Sequence, residues 1–200
     1  MSMRRIHMFQ RVSANGYFAS PDGDLDWVVQ EPALDADAGR QMTERGAMMF
    51  GRKTYQGFAS FWPTQLGESP TAEAPHGPQR RSEALKRMAV WIDGAEKLVF
   101  SHTLHEASWR GTKLLGAFDP AKVEELKRGD GSPIMIFGSG SIVSLLTEHG
   151  LIDDYTFVLS PIVLGSGALP IREVTAKLAL KLVDVTQFEH GNVRLRYAKA

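Results

Sequence analysis

Three short segments of this sequence combine glycine, basic and hydroxyl residues in an order that suits the binding of a phosphorylated ligand. The first, Gly138-Ser139-Gly140-Ser141, follows the apolar run Ile134–Phe137 and precedes apolar residues at helical spacing. This order predicts a buried strand, a tight turn and the start of a helix. Glycine lets the backbone approach a ligand closely, and the N–H groups of a helix start attract phosphate. Many such turns are glycine-rich for steric reasons alone, so the interpretation of this first segment depends on the other two.

The second segment, Gly51-Arg52-Lys53-Thr54, places two cations and a hydroxyl group at a predicted helix start. Arginine binds a phosphate through paired hydrogen bonds, and lysine adds a point charge. Cations are not favoured electrostatically at a helix N-terminus, which favours an anionic ligand over a solvated helix start. The third segment, Ser101-His102, adds a hydroxyl and an imidazole, although alone it is typical of a strand end. A dinucleotide with an extra phosphate would use both segments and lay its pyrophosphate on the glycine turn.

The elements that carry these segments alternate between strand and helix along the chain. The periodicity of apolar residues and the Gly, Pro and Asn breakers predict strands at Ile6–Ser13, Ala47–Phe50, Lys97–Ser101, Thr112–Leu115, Ile134–Phe137 and Tyr155–Leu159. They predict helices at Ala33–Arg45, from Arg52, at Ser82–Ile92, at Pro120–Lys127 and from Ser141 to a stop at Gly150. Leu178–Phe188 and Val193–Tyr197 flank Glu189-His190-Gly191-Asn192, which predicts a closing hairpin.

This alternation predicts an α/β fold, with a mostly parallel sheet covered by helices on both faces and an antiparallel C-terminal hairpin. In such sheets ligands bind outside the carboxyl ends of the strands. All three segments follow predicted strands at that end. The Pro- and Gly-rich stretch Glu68–Gln79 is interpreted as an exposed loop within one domain spanning residues 1–200, because neither flank could fold alone.

The composition limits the classes of function. The chain has 200 residues, 43% of them apolar, and its 23 basic residues balance its 23 acidic ones. A nucleic-acid-binding protein is normally basic, so no nucleic-acid partner is expected. No stretch approaches the roughly 20 apolar residues of a membrane helix, and the N-terminus is unlike a signal peptide. Cysteine is absent, which fits a cytoplasmic location and excludes thiolate metal sites.

The order of five motifs makes a family resemblance specific. Gly51-Arg52-Lys53-Thr54-Tyr55, Leu98-Val99-Phe100-Ser101 and Ile136–Ser141 occur in the order and spacing of dihydrofolate-reductase-like proteins. Asn15–Ala19 with Asp22–Trp27, and Ser160–Gly167, resemble the N- and C-terminal signatures of one branch. That branch is the C-terminal reductase domain of the bifunctional riboflavin-biosynthesis deaminase-reductase, and the resemblance covers essentially the whole chain.

The resemblance implies a three-layer αβα fold that binds NADPH. The adenosine 2′-phosphate would meet Arg52 (with Lys53 beside it), Ser101 and His102. The pyrophosphate would lie on Thr54 and on the turn from Gly138 to Ser141. The nicotinamide would stack near Ser13–Tyr17. The reaction of the family is hydride transfer to a pterin or to the opened ribose of a ribosylaminopyrimidine phosphate.

One departure from the family pattern concerns the residue that would deliver a proton to the substrate. The riboflavin reductases usually carry an aspartate where this chain has Asn15, and an amide cannot deliver a proton at neutral pH. The first candidate for acid assistance is Asp26, with Asp22, Asp24 or a bound water as alternatives. Asp26 lies beside Trp27 and before the first helix, and the resemblance places it roughly where dihydrofolate reductases carry their substrate-binding carboxylate. Asp residues are also common turn and cap residues, and that interpretation stays open for all three. Trp62, with Phe58 and Phe61, either lines the substrate pocket or belongs to the core.

Three functions remain open at this point. The first is an NADPH-dependent reductase of the riboflavin type, the second a reductase of dihydrofolate, another pterin or a small carbonyl compound, and the third a non-catalytic nucleotide-binding protein. The only partners expected are a small-molecule substrate and a second copy of the chain, since the apolar stretch Pro161–Leu169 matches a region that often supports a dimer in the resembled family. His102 and His105 lack further ligands at metal spacing, so no metal site is expected.

Overall fold

The computed structural model describes residues 3–29, 31–43, 46–67, 71–72, 79–80 and 83–200. Its strands are β1 Ile6–Ser13, β2 Ala47–Gly51, β3 Thr71–Ala72, β4 Gln79–Arg80, β5 Glu96–Phe100, β6 Thr112–Gly116, β7 Ile134–Phe137, β8 Asp154–Ser160, β9 Leu180–Gln187 and β10 Val193–Lys199. Its helices are α1 Pro32–Thr43, α2 Arg52–Phe61, α3 Glu83–Gly94, α4 Pro120–Arg128 and α5 Gly140–Glu148, with a 3₁₀ turn at Trp62–Leu66. Among the described residues, no helix has the length and apolar character needed to cross a membrane.

Eight strands form one sheet in the order β6-β5-β2-β7-β1-β8-β10-β9. The six strands from β6 to β8 are parallel, and β10 runs antiparallel to both of its neighbours. The predicted mostly parallel sheet with an antiparallel C-terminal hairpin is confirmed. Strand β7 lies between β1 and β2, although it comes far later in the chain.

Alternating side chains of the parallel strands build an apolar core on each face of the sheet. On one face, Ile6, Met49 and Ile136 pack with Val143 of α5 and Val123 of α4. On the other face, Met48, Phe50 and Val99 pack with Ala89 and Ile92 of α3, and Phe9 and Met135 pack with Leu34 of α1. Strands buried on both faces read as continuous apolar runs, which is why Ala47–Phe50 and Ile134–Phe137 are uninterrupted in the sequence.

The predicted elements are found with small differences at their ends. Helix α2 continues to Phe61, β2 includes Gly51, and β5 ends at Phe100 instead of Ser101. The predicted end of the first helix at Arg45 and most of the Glu68–Gln79 loop lie outside the described residues. Within that loop, Thr71–Ala72 pairs antiparallel with Gln79–Arg80.

Candidate functional site

The three phosphate-binding candidates lie side by side at one edge of the sheet. Strands β5, β2 and β7 are parallel neighbours, so their carboxyl ends share that edge. Gly51 pairs with Phe100, which places the following residues Arg52 and Ser101 next to each other at the strand ends. The edge continues through the end of β1 at Ser13 and the end of β8 at Ser160.

Direct hydrogen bonds join the glycine turn to the start of α2. The N–H of Ser139 donates to Oγ1 of Thr54 at 2.9 Å, and the N–H of Gly51 donates to Oγ of Ser139 at 3.1 Å. The buried side chain of Gln10 on β1 also donates through Nε2 to the carbonyl of Gly138. The two helix starts are thereby held as one unit. Thr54 accepts a hydrogen bond here, so its own hydroxyl hydrogen can still be donated to a ligand.

The glycines of the turn are explained first by packing. Gly138 has φ = +53°, and a Cβ on it would lie 3.2 Å from Cγ2 of Thr54. A Cβ on Gly140 would lie 3.2 Å from the ring of Phe18. Ser139 adopts a left-handed conformation with φ = +54°, which is uncommon for a residue with a side chain. The steric interpretation of these glycines therefore holds, and the amides and hydroxyls of the turn carry any binding role.

Both helix starts present an electropositive end to this edge. Neither α2 nor α5 has a side-chain cap, and neither has an acidic residue in its first turn. The N–H groups of a first turn have no partner within the helix, and the helix dipole adds a partial positive charge there. The side chains of Arg52, Lys53 and Ser141 are exposed beside these ends. Nη1 of Arg52 donates to Oε1 of Gln56 at 3.2 Å.

Ser101 has a structural contact besides its predicted role. Its Oγ accepts hydrogen bonds from the N–H groups of Thr103 and Leu104 at 3.2 and 3.0 Å, which orders the loop after β5. The side chain of His102 is exposed at the same edge. Ser101 and His102 both lie where they could contact an anion bound by Arg52. The hydrogen bonds from the loop to Ser101 already explain why this residue is a serine.

Ser13 and Asn15 organise the loop that follows β1. The hydroxyl of buried Ser13 donates to Oδ1 of Asn15 at 2.8 Å and accepts from the N–H of Tyr17 at 3.0 Å. Asn15 then binds both backbone groups of Leu164, donating through Nδ2 at 2.7 Å and accepting from the N–H at 3.1 Å. An ionised aspartate could not make the donor half of this pair. In this chain, Asn15 ties the first loop to the segment after β8.

The remaining predicted residues occupy contrasting environments. Asp26 is exposed in the loop between β1 and α1, as are Asp22 and Asp24. The indole N–H of neighbouring Trp27 is buried and has no hydrogen-bond partner among the described residues. Trp62 is buried and its ring lies 5.9 Å from that of Phe58 and 5.1 Å from that of Phe61, so it takes part in an aromatic cluster.

The structure adds a buried polar cluster that sequence reasoning missed. The carboxylate of Glu31, which is almost fully buried, accepts from the N–H of His190 at 2.9 Å and lies 3.2 Å from its Nδ1. The hydrogen bond from the His190 backbone holds the pKa of Glu31 below its usual value. Asn192 is buried in the same hairpin turn as His190, and its Oδ1 accepts a hydrogen bond at 2.8 Å from the hydroxyl of Ser160 at the end of β8. The sequence predicted only a hairpin at this turn, because no local sequence pattern relates it to Glu31.

No group of three His, Cys, Asp or Glu side chains in the described part of the chain is arranged to hold a metal ion.

Comparison with known proteins identifies the family. The model of the RibD C-terminal domain matches residues 4–194. The chain belongs to this family. Two curated relatives from Bacillus subtilis (strain 168), the uncharacterized proteins YyaP and YwjB, are each 24% identical over 201 residues. These matches cover 98% of this chain and 96% and 99% of the two relatives.

Several solved structures have a fold similar to that of this chain. A putative riboflavin biosynthesis protein from Shewanella sp. PV-4 superposes with a TM-score of 0.73 at 18% identity, covering 98% of this chain and 99% of its own. A deaminase/5-amino-6-(5-phosphoribosylamino)uracil reductase from Thermotoga maritima gives 0.64 at 16% identity, over 99% of this chain and 57% of that one. Dihydrofolate reductase from Enterococcus faecalis, complexed with NADP(H), gives 0.62 at 10% identity over 98% and 96%. The expected dihydrofolate-reductase-like fold is confirmed, and membership of the RibD C-terminal domain family supports a reductase-like function.

Proposed function

We propose that this member of the RibD C-terminal domain family is an NADPH-dependent oxidoreductase that reduces a small heterocyclic or ribosyl substrate. The observation that carries the proposal is the meeting of two uncapped helix starts beside exposed cations. The ends of α2 and α5 are joined through Thr54 and Ser139, and no acidic residue lies in either first turn. Such a site stabilises a pyrophosphate through amide donors and helix dipoles.

Each part of the edge has a role in this proposal. Arg52, with Lys53 beside it, and the Ser101-His102 pair bind the adenosine 2′-phosphate. Thr54, Ser139 and Ser141 hold the pyrophosphate, with the backbone of Gly51, Gly138 and Gly140 shaping the turn. The loop from Ser13 to Tyr17 borders the nicotinamide. When bound, the cofactor supplies the hydride.

The chain itself supplies position and a route for the proton. The loop after β1 is fixed by Ser13 and Asn15, so the reacting groups meet a preformed surface. Asp26 remains our candidate for orienting the substrate or relaying its proton. Asn15 and Trp62 are the proposed substrate contacts, although both already have structural partners. We also propose a cytoplasmic location and a homodimer.

Binding is tested first by calorimetric titration with NADPH, with NADH as the matched control. We expect binding of NADPH and weaker binding of NADH. No heat at millimolar NADPH would remove the reductase proposal altogether.

Reaction is tested next by following the absorbance of reduced nicotinamide. The assay compares 5-amino-6-(5-phosphoribosylamino)uracil, dihydrofolate and small carbonyl compounds as substrates. Turnover of the first group supports the riboflavin-type proposal, and turnover of the others identifies a pterin or carbonyl reductase. Binding without turnover of any of them favours a non-catalytic nucleotide-binding protein.

A further inference from the structure

The loop that follows β1 is paired with the segment that follows β8. The N–H of Ala14 donates to the carbonyl of Ile162 at 2.7 Å, and the N–H of Phe18 donates to the carbonyl of Ala168 at 2.9 Å. The N–H of Ala168 donates in turn to the carbonyl of Ala19 at 2.9 Å. The side-chain bonds already described between the same two stretches add to this pairing. The two stretches are therefore held together at several points.

The two stretches approach so closely that one position has room only for glycine. A Cβ on Gly167 would overlap the carbonyl oxygen of Ala19 and would lie 3.1 Å from Cβ of Tyr17. Glycine allows two backbones to approach in this way. The loop after β1 consequently takes its position from the segment after β8.

That segment is in turn fixed to helix α5. Oγ of Ser144 accepts a hydrogen bond from the N–H of Arg172 at 2.9 Å and donates to the carbonyl of Gly140 at 2.7 Å. About one turn further along the helix, the carboxylate of Glu148 accepts from the N–H of Thr175 at 2.8 Å and from the hydroxyl of the same residue. The segment thus connects the loop after β1 to the helix whose first turn belongs to the proposed cofactor site.

The ring of Phe18 makes the same connection directly. A Cβ on Gly140, the first residue of α5, would lie 3.2 and 3.3 Å from two atoms of this ring. The next nearest atom, the carbonyl oxygen of Pro170, would lie at 3.5 Å, which is an ordinary contact. Gly140 does not have a positive φ, so its backbone conformation does not require glycine. The ring of Phe18 is therefore what a side chain at this position would meet.

We propose that Phe18 is a positioning residue that joins the two ends of the proposed cofactor site. It directly follows Ser13–Tyr17, the stretch that borders the nicotinamide, and its ring lies against the turn that holds the pyrophosphate. The lack of a side chain at Gly140 serves this contact. The role rests on the proposed binding of NADPH, because it concerns how the nicotinamide half is placed relative to the pyrophosphate.

The contact acts by fixing the loop before the ligand arrives. A loop that is already held in its bound position loses less conformational freedom on binding, and this difference is worth roughly tenfold in affinity. The adenosine half of NADPH would lie at Arg52 and Ser101, on the far side of the glycine turn, and gains nothing from Phe18. Loss of the ring should therefore weaken NADPH selectively.

A fragment of the cofactor separates the two halves of the site. Adenosine 2′,5′-bisphosphate carries the 2′-phosphate and lacks the nicotinamide, and calorimetric titration of the full chain measures its affinity and that of NADPH. Phe18→Ala should weaken NADPH roughly tenfold and change the affinity for the bisphosphate by less than about twofold. Gly140→Ala keeps every side chain and displaces the ring slightly, so it should weaken NADPH by about two- to fivefold and leave the bisphosphate unchanged.

The two substitutions together test the contact itself. In the Phe18→Ala background, Gly140→Ala should have no further effect, because the ring that its Cβ would meet is gone. Gly57→Ala is the matched control, since it is another helical glycine and has nothing within 4 Å of its Cβ. It should alter the affinity for neither ligand. Circular dichroism checks the fold of each variant, and Gly140→Ala carries the test alone if Phe18→Ala does not fold.

Several outcomes would overturn the inference. Equal weakening of NADPH and the bisphosphate by Phe18→Ala would make the ring a general structural contact. Unchanged NADPH binding in both single variants would show that the loop needs no such link. Equal losses from Gly140→Ala in the two backgrounds would assign its effect to the turn alone. A wild-type chain that binds neither ligand would remove the NADPH proposal itself and the role of Phe18 with it.

Discussion

Replacing Arg52 by alanine should change which nicotinamide cofactor the protein prefers. NADPH and NADH differ only by the 2′-phosphate, so only groups that touch this phosphate can discriminate between them. Arg52 is exposed at the start of α2, and the register places it beside Ser101. We expect Arg52→Ala to weaken NADPH and to leave NADH nearly unchanged.

The expected loss of NADPH affinity follows from the hydrogen bond that the guanidinium would make to the phosphate and the one that it makes to Gln56 in the free protein. A hydrogen bond to a charged group contributes roughly 1.5–3 kcal/mol. In the free protein the guanidinium donates to Gln56, four residues on, and an exposed pair at this spacing contributes about 0.2–0.5 kcal/mol. The net loss is therefore about 1–3 kcal/mol, or roughly five- to a hundredfold in the dissociation constant of NADPH. Because the site is exposed, the effect should shrink at high salt.

Calorimetric titrations of both cofactors at low and high salt measure this effect. Lys53→Ala is the comparison variant. Because consecutive helix residues point about 100° apart, only one of the two cations can face the phosphate well, and we expect Lys53→Ala to weaken NADPH less than Arg52→Ala does. Gln56→Ala removes the partner that Arg52 has in the free protein, and it should leave NADPH binding unchanged or slightly stronger.

Two outcomes would refute this reasoning. Equal weakening of NADPH and NADH would make Arg52 a pyrophosphate or structural contact. No weakening of either would mean that the Gly51–Thr54 segment matches a cofactor site only in composition.

Three further changes test other parts of the molecule. Gly138→Ala places a side chain at φ = +53° and 3.2 Å from Thr54, so urea unfolding should show a loss of roughly 1–2 kcal/mol. The control Gly57→Ala has nothing within 4 Å of its Cβ and lies within helix α2, so it should show no loss and a gain of roughly 0.5–1 kcal/mol. Asp26→Asn should lower turnover by about 10²- to 10⁴-fold if Asp26 relays a proton, with little change in the calorimetric affinity for NADPH; unchanged turnover would move this role to Asp22, Asp24 or water. Burial lowers the pKa of Lys97 from 10.5 to about 8. Between about pH 8 and 10, the unfolded chain therefore binds more protons than the folded chain, and the free energy of unfolding should rise with pH over this range. Denaturation at several pH values should show this rise, at most about 3 kcal/mol, in the wild type and not in Lys97→Met.

Local patterns were sufficient to predict the elements of the sheet. Ala47–Phe50 and Ile134–Phe137 are short apolar runs ended by glycine, and both are strands buried on two faces. The hairpin around Glu189–Asn192 was predicted from its turn residues and is confirmed by the pairing of β9 with β10. The common edge of the three candidate segments follows from parallel strands, which end on the same side.

Contacts between residues far apart in the chain could not be predicted in this way. Asn15 departs from the family pattern, but its bonds to Leu164 depend on how the segment after β8 folds back. The pairing of Glu31 with His190 joins residues 159 positions apart. Gln10 lies in a strand that also contains His7 and Arg11, so its polarity gave no signal, and its partner Gly138 is 128 positions away. Neither periodicity nor spacing contains this information.

The sheet order also explains why a glycine turn so late in the chain lies at the centre of the proposed cofactor site. In a sheet whose strands followed sequence order, β7 would lie between β6 and β8, and the turn after it would be separated from β1 and from the start of α2. Here β7 is inserted between β1 and β2, so Gly138 lies between the end of β1 and the start of α2. Gln10 and Thr54 bind the turn from these two sides. A ligand that spans β5, β2, β7 and β1 therefore crosses the turn midway, which is where a dinucleotide carries its pyrophosphate.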